Sequence, residues 1–500
     1  MAQVHEKDGI VELADPGSFE GSPLWNDDIA PTRLSQRTWD WRHIASLWVG
    51  MAVCVPTYML ASSLIQSGMS WKQAIFTVLL ANLLVLIPMV LNAHAGTRYG
   101  IPFPVYCRSA FGVLGANIPA LMRGMVACGW FGIQTWIGGS ALFQMAAAVM
   151  PSLNDYGPLG ANPVEFGCFL IFWAINIGIV LRGIDSIKIL EGIGAPFLLV
   201  VGLALLAWAW VQADGFGPML RQPSQFTSFG EFLKAFAPGL TANVAFWATL
   251  SLNIPDFTRF ARSQRDQVVG QAVGLPPTMT LFAFIGVAVT SATVVIYGEP
   301  IWNPVVLMAR AGQGEPLVVF IAMLALSIAT LTTNLAANVV SPANDISNLA
   351  PRKISFKMGG VITGIIGIMM MPWKLLADPN AYVFTWLGGY GSMLGAIGGV
   401  LIAEYWLIRK GELNLPDLYR MDGEYGKWRP TALAALFLGI LPCVPGFLTA
   451  LGVFQASGFF ELIYSYSVFV SFGVAALAHM ALRPLARPMD LAPALESTSR

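Results

Sequence analysis

Charge is scarce in this sequence. Only 11% of its 500 residues are Asp, Glu, Lys or Arg, where an ordinary soluble domain has roughly 25%. With 56% hydrophobic residues and a mean hydropathy of +0.64, a soluble globular fold is excluded. The 28 basic and 28 acidic side chains cancel, so no electrostatic footprint for nucleic acid or an acidic protein partner exists. Cysteine is also sparse. Cys54, Cys107, Cys128, Cys168 and Cys443 lie in or beside apolar runs without CxxC spacing, so they read as small buried apolar residues, not as disulfides or metal ligands. Residues 1–40 lack the basic segment and short apolar core of a cleavable signal, so the first membrane helix is expected to act as the targeting signal. Nor do the apolar runs hold a metalloprotease HExxH or paired aspartates, and no enzymatic activity is expected.

Long apolar runs are abundant. Uncharged stretches at 124–150, 192–213, 235–255, 267–298, 316–344 and 379–403, with shorter candidates near 43–65, 74–92, 166–181, 358–373, 431–453 and 460–482, give about twelve segments of the length that crosses a bilayer. The expected fold is an all-α integral membrane protein. Lys72, Arg221, Lys234, Arg310 and Lys374 fall in alternate loops, and the other 23 of the 28 basic residues fall in the remaining loops and termini. Cytoplasmic loops retain lysine and arginine, so both termini are expected to be cytoplasmic in a multi-pass protein of the cytoplasmic (inner) membrane. The expected divisions are an N-terminal segment 1–40, a membrane domain 41–482 and a tail 483–500.

Fifty glycines and 32 prolines include several inside apolar runs: Pro56 in the first span, Pro196 in the fifth, Pro238 and Gly239 in the sixth. Such residues free backbone groups in a membrane helix. They are either plain kinks or the interruptions of an inverted repeat with a midplane solute site. Ionisable residues are nearly absent from span centres. Glu191, Glu404 and Asp256 stand at span ends, and His5, His43, His94 and His479 at or near them, which favours interfacial roles. A fully charged solute would lack a counter-ion, so the solute is expected to be neutral.

In the third span, Trp130 and Gln134 are four residues apart and share a helical face. The amide both donates and accepts, which suits a ring with adjacent N–H and C=O groups; packing and interhelical bonding are the competing roles. The sixth span adds Asn243, Phe246 and Trp247, and the eighth adds Thr332, Thr333, Asn334 and Asn338. The two threonine hydroxyls, with carbonyls of Gly50 and Val53 at a first-span break, make a neutral oxygen nest for a monovalent cation, unless the threonines bond back to their own helix.

At these residues the sequence resembles the nucleobase:cation symporter family of hydantoin, allantoin, uracil and cytosine permeases. The likeness is carried by Leu24-Trp25-Asn26-Asp27-Asp28-Ile29-Ala30-Pro31, Gly100-Ile101-Pro102-Phe103-Pro104-Val105, Trp130 to Gly139, Asn334 to Asn338 with Ser341-Pro342, and Leu415-Pro416-Asp417-Leu418-Tyr419. It implies a LeuT-like five-plus-five inverted repeat, here 41–213 and 230–408, followed by two further helices within 430–482. It also implies a ring clamped by Trp130 and Trp247, amide contacts from Gln134 and Asn338, and a sodium site of the Gly50, Val53 and Ala329 carbonyls with the Thr332 and Thr333 hydroxyls. Where hydantoin-carrying members have a glutamine near the solute this chain has Cys54, and where they have a glycine before the sixth-helix tryptophan it has Phe246.

The expected function is secondary active import of a neutral cyclic ureide or nucleobase with sodium as the favoured coupling ion; the alternative is a proton-coupled purine or cytosine carrier. A bend of the fifth helix near Gly194-Ala195-Pro196 is expected to open the inner side. Partners are limited to the small-molecule solute, the coupling cation and the lipid bilayer. No cofactor is expected beyond Na+, and the chain is expected to be monomeric.

Overall fold

The computed structural model describes residues 4–182, 184–350 and 352–485, with the side chains of 184–196, Ala336 and Phe384 outside that description. Lys188, Glu191, the Gly194-Ala195-Pro196 bend and the tail basic residues Arg487 and Arg500 therefore lie outside the described residues.

The chain opens with a hairpin, β1 (Val4–Lys7) antiparallel to β2 (Ile10–Leu13), closed by Asp8 and Gly9, both at positive φ, as a tight two-residue turn requires. This hairpin is a small addition to an otherwise helical chain. The first span is broken into α1 (Trp41–Ala52) and α2 (Val55–Gln66), bent by 60°. There follow α3 (Trp71–Tyr99), α4 (Phe103–Phe111), α5 (Asn117–Val149), α6 (Pro163–Arg182), α7 (Ile184–Gln212) and α8 (Phe216–Leu220). The sixth span comprises α9 (Phe229–Phe246), α10 (Ala248–Asn253) and the short α11 (Pro255–Thr258). Next come α12 (Gln264–Tyr297), α13 (Pro304–Ala311), α14 (Pro316–Asn338), α15 (Val340–Leu349), α16 (Phe356–Met369) and α17 (Pro372–Leu375). The tenth span is α18 (Gly388–Ile402) between π-helical turns Ala381–Leu387 and Ala403–Ile408. The chain closes with α19 (Pro430–Ile440), α20 (Val444–Ala450), α21 (Gly458–Ser465) and α22 (Ser467–Leu482).

Local chemistry sets these boundaries. Asp40 accepts from the amides of Arg42 and His43, and Ser70, Ser228, Ser263 and Ser355 cap the helices that follow them, each satisfying an otherwise orphan donor. Proline opens α6, α13, α14 and α19, where its missing N–H costs nothing.

Eight described helices are long and apolar enough to cross a membrane, or nine with the bent pair, fewer than the expected twelve. The 33-residue α5 and the 14-residue α16 take the places expected of the third and ninth spans without meeting that measure, and the described part of α7, Phe197–Gln212, is apolar but covers only part of the fifth. The glycine, glutamine and tryptophan that suit α5 to a site also lower its hydropathy.

One break differs from the sequence expectation. Pro238 and Gly239 lie inside α9, and the helix runs on to Phe246 before a one-residue interruption at Trp247, with Phe229–Asn253 still one continuous span. Pro238 deprives only the Lys234 carbonyl of a donor, and Lys234 is exposed. Pro56, by contrast, sits in the first turn of α2, immediately after its break.

Segments far apart in sequence meet at one end of the bundle. Arg37 donates to the carbonyls of Val11, Thr32, Thr97 and Arg98, and Arg108 donates to the Leu418 and Leu24 carbonyls and Asn348 Oδ1. Burial lowers each guanidinium to about 10, so both stay charged at neutral pH. Arg98 pairs with Glu6 and Glu412. The N-terminal segment, α4 and the 409–429 connection thus form one cap.

Two expectations about charge are corrected. Asp345 and Arg123 form an ion pair at 2.9 Å with both side chains at 0% exposure, so the bundle does contain a buried carboxylate. Its salt bridge with α5 compensates the burial. His479 is buried rather than interfacial, with Nε2 2.9 Å from Glu404, which also accepts from Arg409 and Arg429.

Candidate functional site

The break between α1 and α2 is a rearrangement of backbone hydrogen bonds. In a continuous helix the amides of Cys54 and Thr57 would close on the carbonyls of Gly50 and Val53. Instead Cys54 N donates to Ala52 O at 3.0 Å and Thr57 N to Cys54 O at 3.1 Å. The carbonyls of Gly50 and Val53 are thereby released from their helical donors.

On α14, Thr332 Oγ1 lies 2.8 Å and Thr333 Oγ1 3.0 Å from the Ala329 carbonyl. Three of the oxygens singled out in the sequence therefore cluster within one turn. The back-bonding alternative describes Thr332 here, while the single proton of Thr333 has both the Ala329 carbonyl and Gln134 Oε1 within reach. Neutral carbonyls and hydroxyls suit a hard monovalent cation better than a softer metal. Among the described residues no group of His, Cys, Asp and Glu could hold a metal ion.

The rings gather beside these breaks. Trp130 on α5 meets Phe246 at 5.1 Å, Trp386 at 5.9 Å, Tyr382 at 6.2 Å and Tyr390 at 6.3 Å between centroids. Trp247, at the α9–α10 break, meets Phe246 at 4.9 Å and Trp48 at 5.3 Å. Phe246 thus touches both indoles of the expected clamp. The Trp386 indole lies so close to α5 that a Cβ at Gly129 would collide with it, and one at Gly132 would meet the Gly367 carbonyl; glycine is the residue that permits these approaches.

The amides are held by networks. Gln134 Oε1 lies 3.1 Å from the Thr333 hydroxyl, so the solute-reading candidate and the cation-site candidate compete for one proton. Asn338 Nδ2 donates to Asn334 Oδ1 at 3.0 Å, while Asn334 Nδ2 lies 3.1 Å from Thr135 Oγ1 and 3.2 Å from Asn176 Oδ1. Among the described residues, Gln134 Nε2 and Asn338 Oδ1 have no hydrogen-bond partner: one open donor and one open acceptor. Cys54 is buried at 3% exposure and bonded to Thr57 at 3.2 Å, which directs its thiol along its own helix.

Sequence reasoning missed Tyr382, Trp386 and Tyr390, although their spacing of four was a readable signal of a shared face. It also left Trp48 unassigned, and Asn334 entered only as part of a motif.

A helical bundle whose first span is broken by a 60° bend and whose sixth carries a one-residue interruption at Trp247, beside an aromatic cluster, open amides and freed carbonyls, is the architecture of a membrane transporter. The chain belongs to the family described as permease for cytosine/purines, uracil, thiamine and allantoin, whose profile matches residues 31–471. It is 48% identical over 474 residues to a purine-uracil permease of Arabidopsis thaliana, covering 93% of this chain and 78% of that one. It is 39% identical over 480 residues to an allantoin permease of Bacillus subtilis, covering 95% and 96%. Among solved structures, a nucleobase-cation-symport-1 family transporter in a closed conformation with bromovinylhydantoin bound is similar at a TM-score of 0.73 and 25% identity, covering 95% of this chain and 98% of that one. A Na+-coupled sialic acid symporter at 14% identity and a TM-score of 0.58, covering 91% and 92%, shares the fold. This chain is a permease and not an enzyme.

Proposed function

We propose that the protein imports a neutral cyclic ureide or nucleobase by symport with a cation, and that the cation is sodium. The observation that carries the reading is the open donor of Gln134 and the open acceptor of Asn338 on two helices that share the Trp130 neighbourhood. A lactam or ureide edge offers the complementary acceptor and donor side by side, and the rings around Trp130 suit a flat solute. Among the described residues no charged side chain hydrogen-bonds Gln134 or Asn338 or stacks on Trp130, in keeping with a neutral solute. Sodium is supported by the freed carbonyls of Gly50 and Val53 and by the three oxygens of Ala329, Thr332 and Thr333, which would hold it.

In this reading 41–213 and 230–408 form the inverted repeats, 430–482 adds two helices, and both termini face the cytoplasm. The cap of the N-terminal segment, α4 and 409–429 then closes the inner side. The chain works as a monomer in the cytoplasmic membrane. The relatives named for purines and uracil and for allantoin set the range to test. Uptake of labelled uracil is to be competed with allantoin, hydantoins, cytosine and purines in cells that lack other permeases. The reading expects at least one neutral ureide or nucleobase to compete fully and Gln134→Leu to weaken that competitor about ten-fold, as a buried unpaired polar group costs about 1–3 kcal/mol. A panel in which only charged solutes compete would overturn it.

A further inference from the structure

Far from the solute site, α3 and α12 leave a trough on the outer face of the bundle. Its α3 wall is Ile75, Leu79, Leu83 and Leu86, and its α12 wall includes Ala272, Pro276, Pro277 and Phe284, around a volume of about 690 Å³. The steric cause is plain. Alanine and the flat proline rings project less than the leucines opposite, so the helices cannot close over the seam. Leu79, Leu83 and Leu281 are 37%, 48% and 56% exposed on helices that both qualify as membrane spans, so the trough faces hydrocarbon.

Its dimensions and its rim identify the occupant. Ile75 to Leu86 covers about 16 Å of helix at ~1.5 Å per residue, close to half of the ~30 Å hydrocarbon core: the depth of one leaflet. Lys72 continues the Ile75, Leu79, Leu83 stripe by one helical step and is exposed. Its ammonium lies 5.8 Å from the Trp71 ring centroid, and Trp71 packs on Phe284 at 6.3 Å, so a cation and an aromatic belt stand together at one mouth of the trough. This mouth is at the end of α3 opposite Thr97 and Arg98, whose carbonyls bind Arg37 of the N-terminal segment.

We infer that the α3–α12 trough is a binding site for one anionic glycerophospholipid of the leaflet opposite the N-terminal segment, with an acyl chain along the leucine stripe and the phosphate at Lys72. The apolar part alone confers no headgroup preference, because an acyl chain leaves one hydrocarbon phase for another. Selectivity rests on Lys72, and one basic residue near the surface is worth about five-fold, ~1 kcal/mol.

The test uses purified full-length protein, native mass spectrometry, and phosphatidylglycerol and phosphatidylcholine of identical chains supplied in equal amounts. Wild type should retain phosphatidylglycerol about five-fold over phosphatidylcholine. Lys72→Ala should bring the ratio near one while retaining some lipid, and Leu83→Trp, which fills the trough, should lower retention of both. A phosphatidylglycerol probe with a diazirine in its acyl chain, in liposomes, should label peptides that span 75–86 and 272–284. Equal retention of the two lipids by wild type, a preference unchanged in Lys72→Ala, or labelling confined to other helices would overturn the site. So would efficient disulfide dimers of Leu83→Cys in membranes, which would show that a second copy covers the trough.

Discussion

Trp130 contacts four other rings, and this number sets what its replacement does. Trp130→Ala removes packing as well as a stacking surface, so part of its effect would be lost stability, typically about 3–5 kcal/mol for a buried aromatic. Trp130→Phe keeps most of the volume and is the cleaner variant. Stacking beyond burial is worth about 0.5–1.5 kcal/mol, and a phenyl ring retains part of it, so solute affinity should fall by a few-fold with surface expression unchanged; wild-type affinity would remove Trp130 from the solute's contacts. Phe246 makes the opposite prediction. Because its ring touches both indoles, Phe246→Ala should open room between them and let bulkier bicyclic rings compete better relative to monocyclic ones, and a competition ranking identical to wild type would show that Phe246 does not set ring size. At this scale the sequence was legible where two informative residues share a helix, as Trp130 and Gln134 do. It was not legible where a partner comes from another span. The spacing of Tyr382, Trp386 and Tyr390 defines a face, but nothing in a linear pattern says that this face meets α5. The same holds for Asp345 and Arg123, 222 positions apart, whose pairing only the packing of α5 against α15 reveals.

At the scale of elements, breaks at proline are cheap or costly according to where the freed groups go. Pro56 follows the turn of the first span and fixes its position, so that break was readable. Pro238 was misread because the carbonyl it orphans lies at an exposed position, and the actual break at Trp247 carries no proline or glycine of its own. There Trp247 packs on Trp48 of the first span. Below this break the sixth span is bound to the eighth and third through a buried polar cluster. In the orientation that satisfies its neighbours, the Asn253 amide donates to the Thr249 carbonyl at 2.6 Å and accepts from Arg123 at 3.0 Å. Ser341 donates to Asp256, whose other oxygen accepts from Phe103 N at 2.7 Å. Removal of one partner of a fully buried ion pair typically costs about 3–5 kcal/mol. Asp345→Ala should therefore lower the thermal unfolding temperature of the purified protein well below that of Asp345→Asn, which can still accept from Arg123. Equal temperatures for the two variants would show that the charge of the pair contributes little.

For the whole molecule, the distribution of basic residues and the count of apolar runs suggested a polytopic bundle with one heavily basic end; the structure brings Arg37, Arg98 and Arg108 together in one cap. What no linear reading supplies is the link between the two candidate sites. The Thr333 hydroxyl lies within hydrogen-bond distance of both Gln134 Oε1 and the Ala329 carbonyl, so it belongs to the amide network and to the oxygen cluster at once. A cation drawn to the oxygens of Ala329, Thr332 and Thr333 would orient that hydroxyl and with it the Gln134 amide, whose Nε2 is the open donor. Coupling through a shared group is reciprocal by thermodynamic necessity: sodium should tighten solute binding by the same factor as solute tightens sodium binding, typically about 5–150-fold for coupling of ~1–3 kcal/mol. Thr333→Ala should reduce the factor more than Thr332→Ala, because only Thr333 reaches Gln134. Solute affinity of purified protein, measured in sodium and in choline at fixed ionic strength for wild type and both variants, reads this directly. Equal affinity in the two salts, with uptake that follows a proton gradient after collapse of the sodium gradient, would reject sodium as the coupling ion. It would leave the Trp130 and Gln134 assignments standing, because those rest on rings and amides and not on the cation.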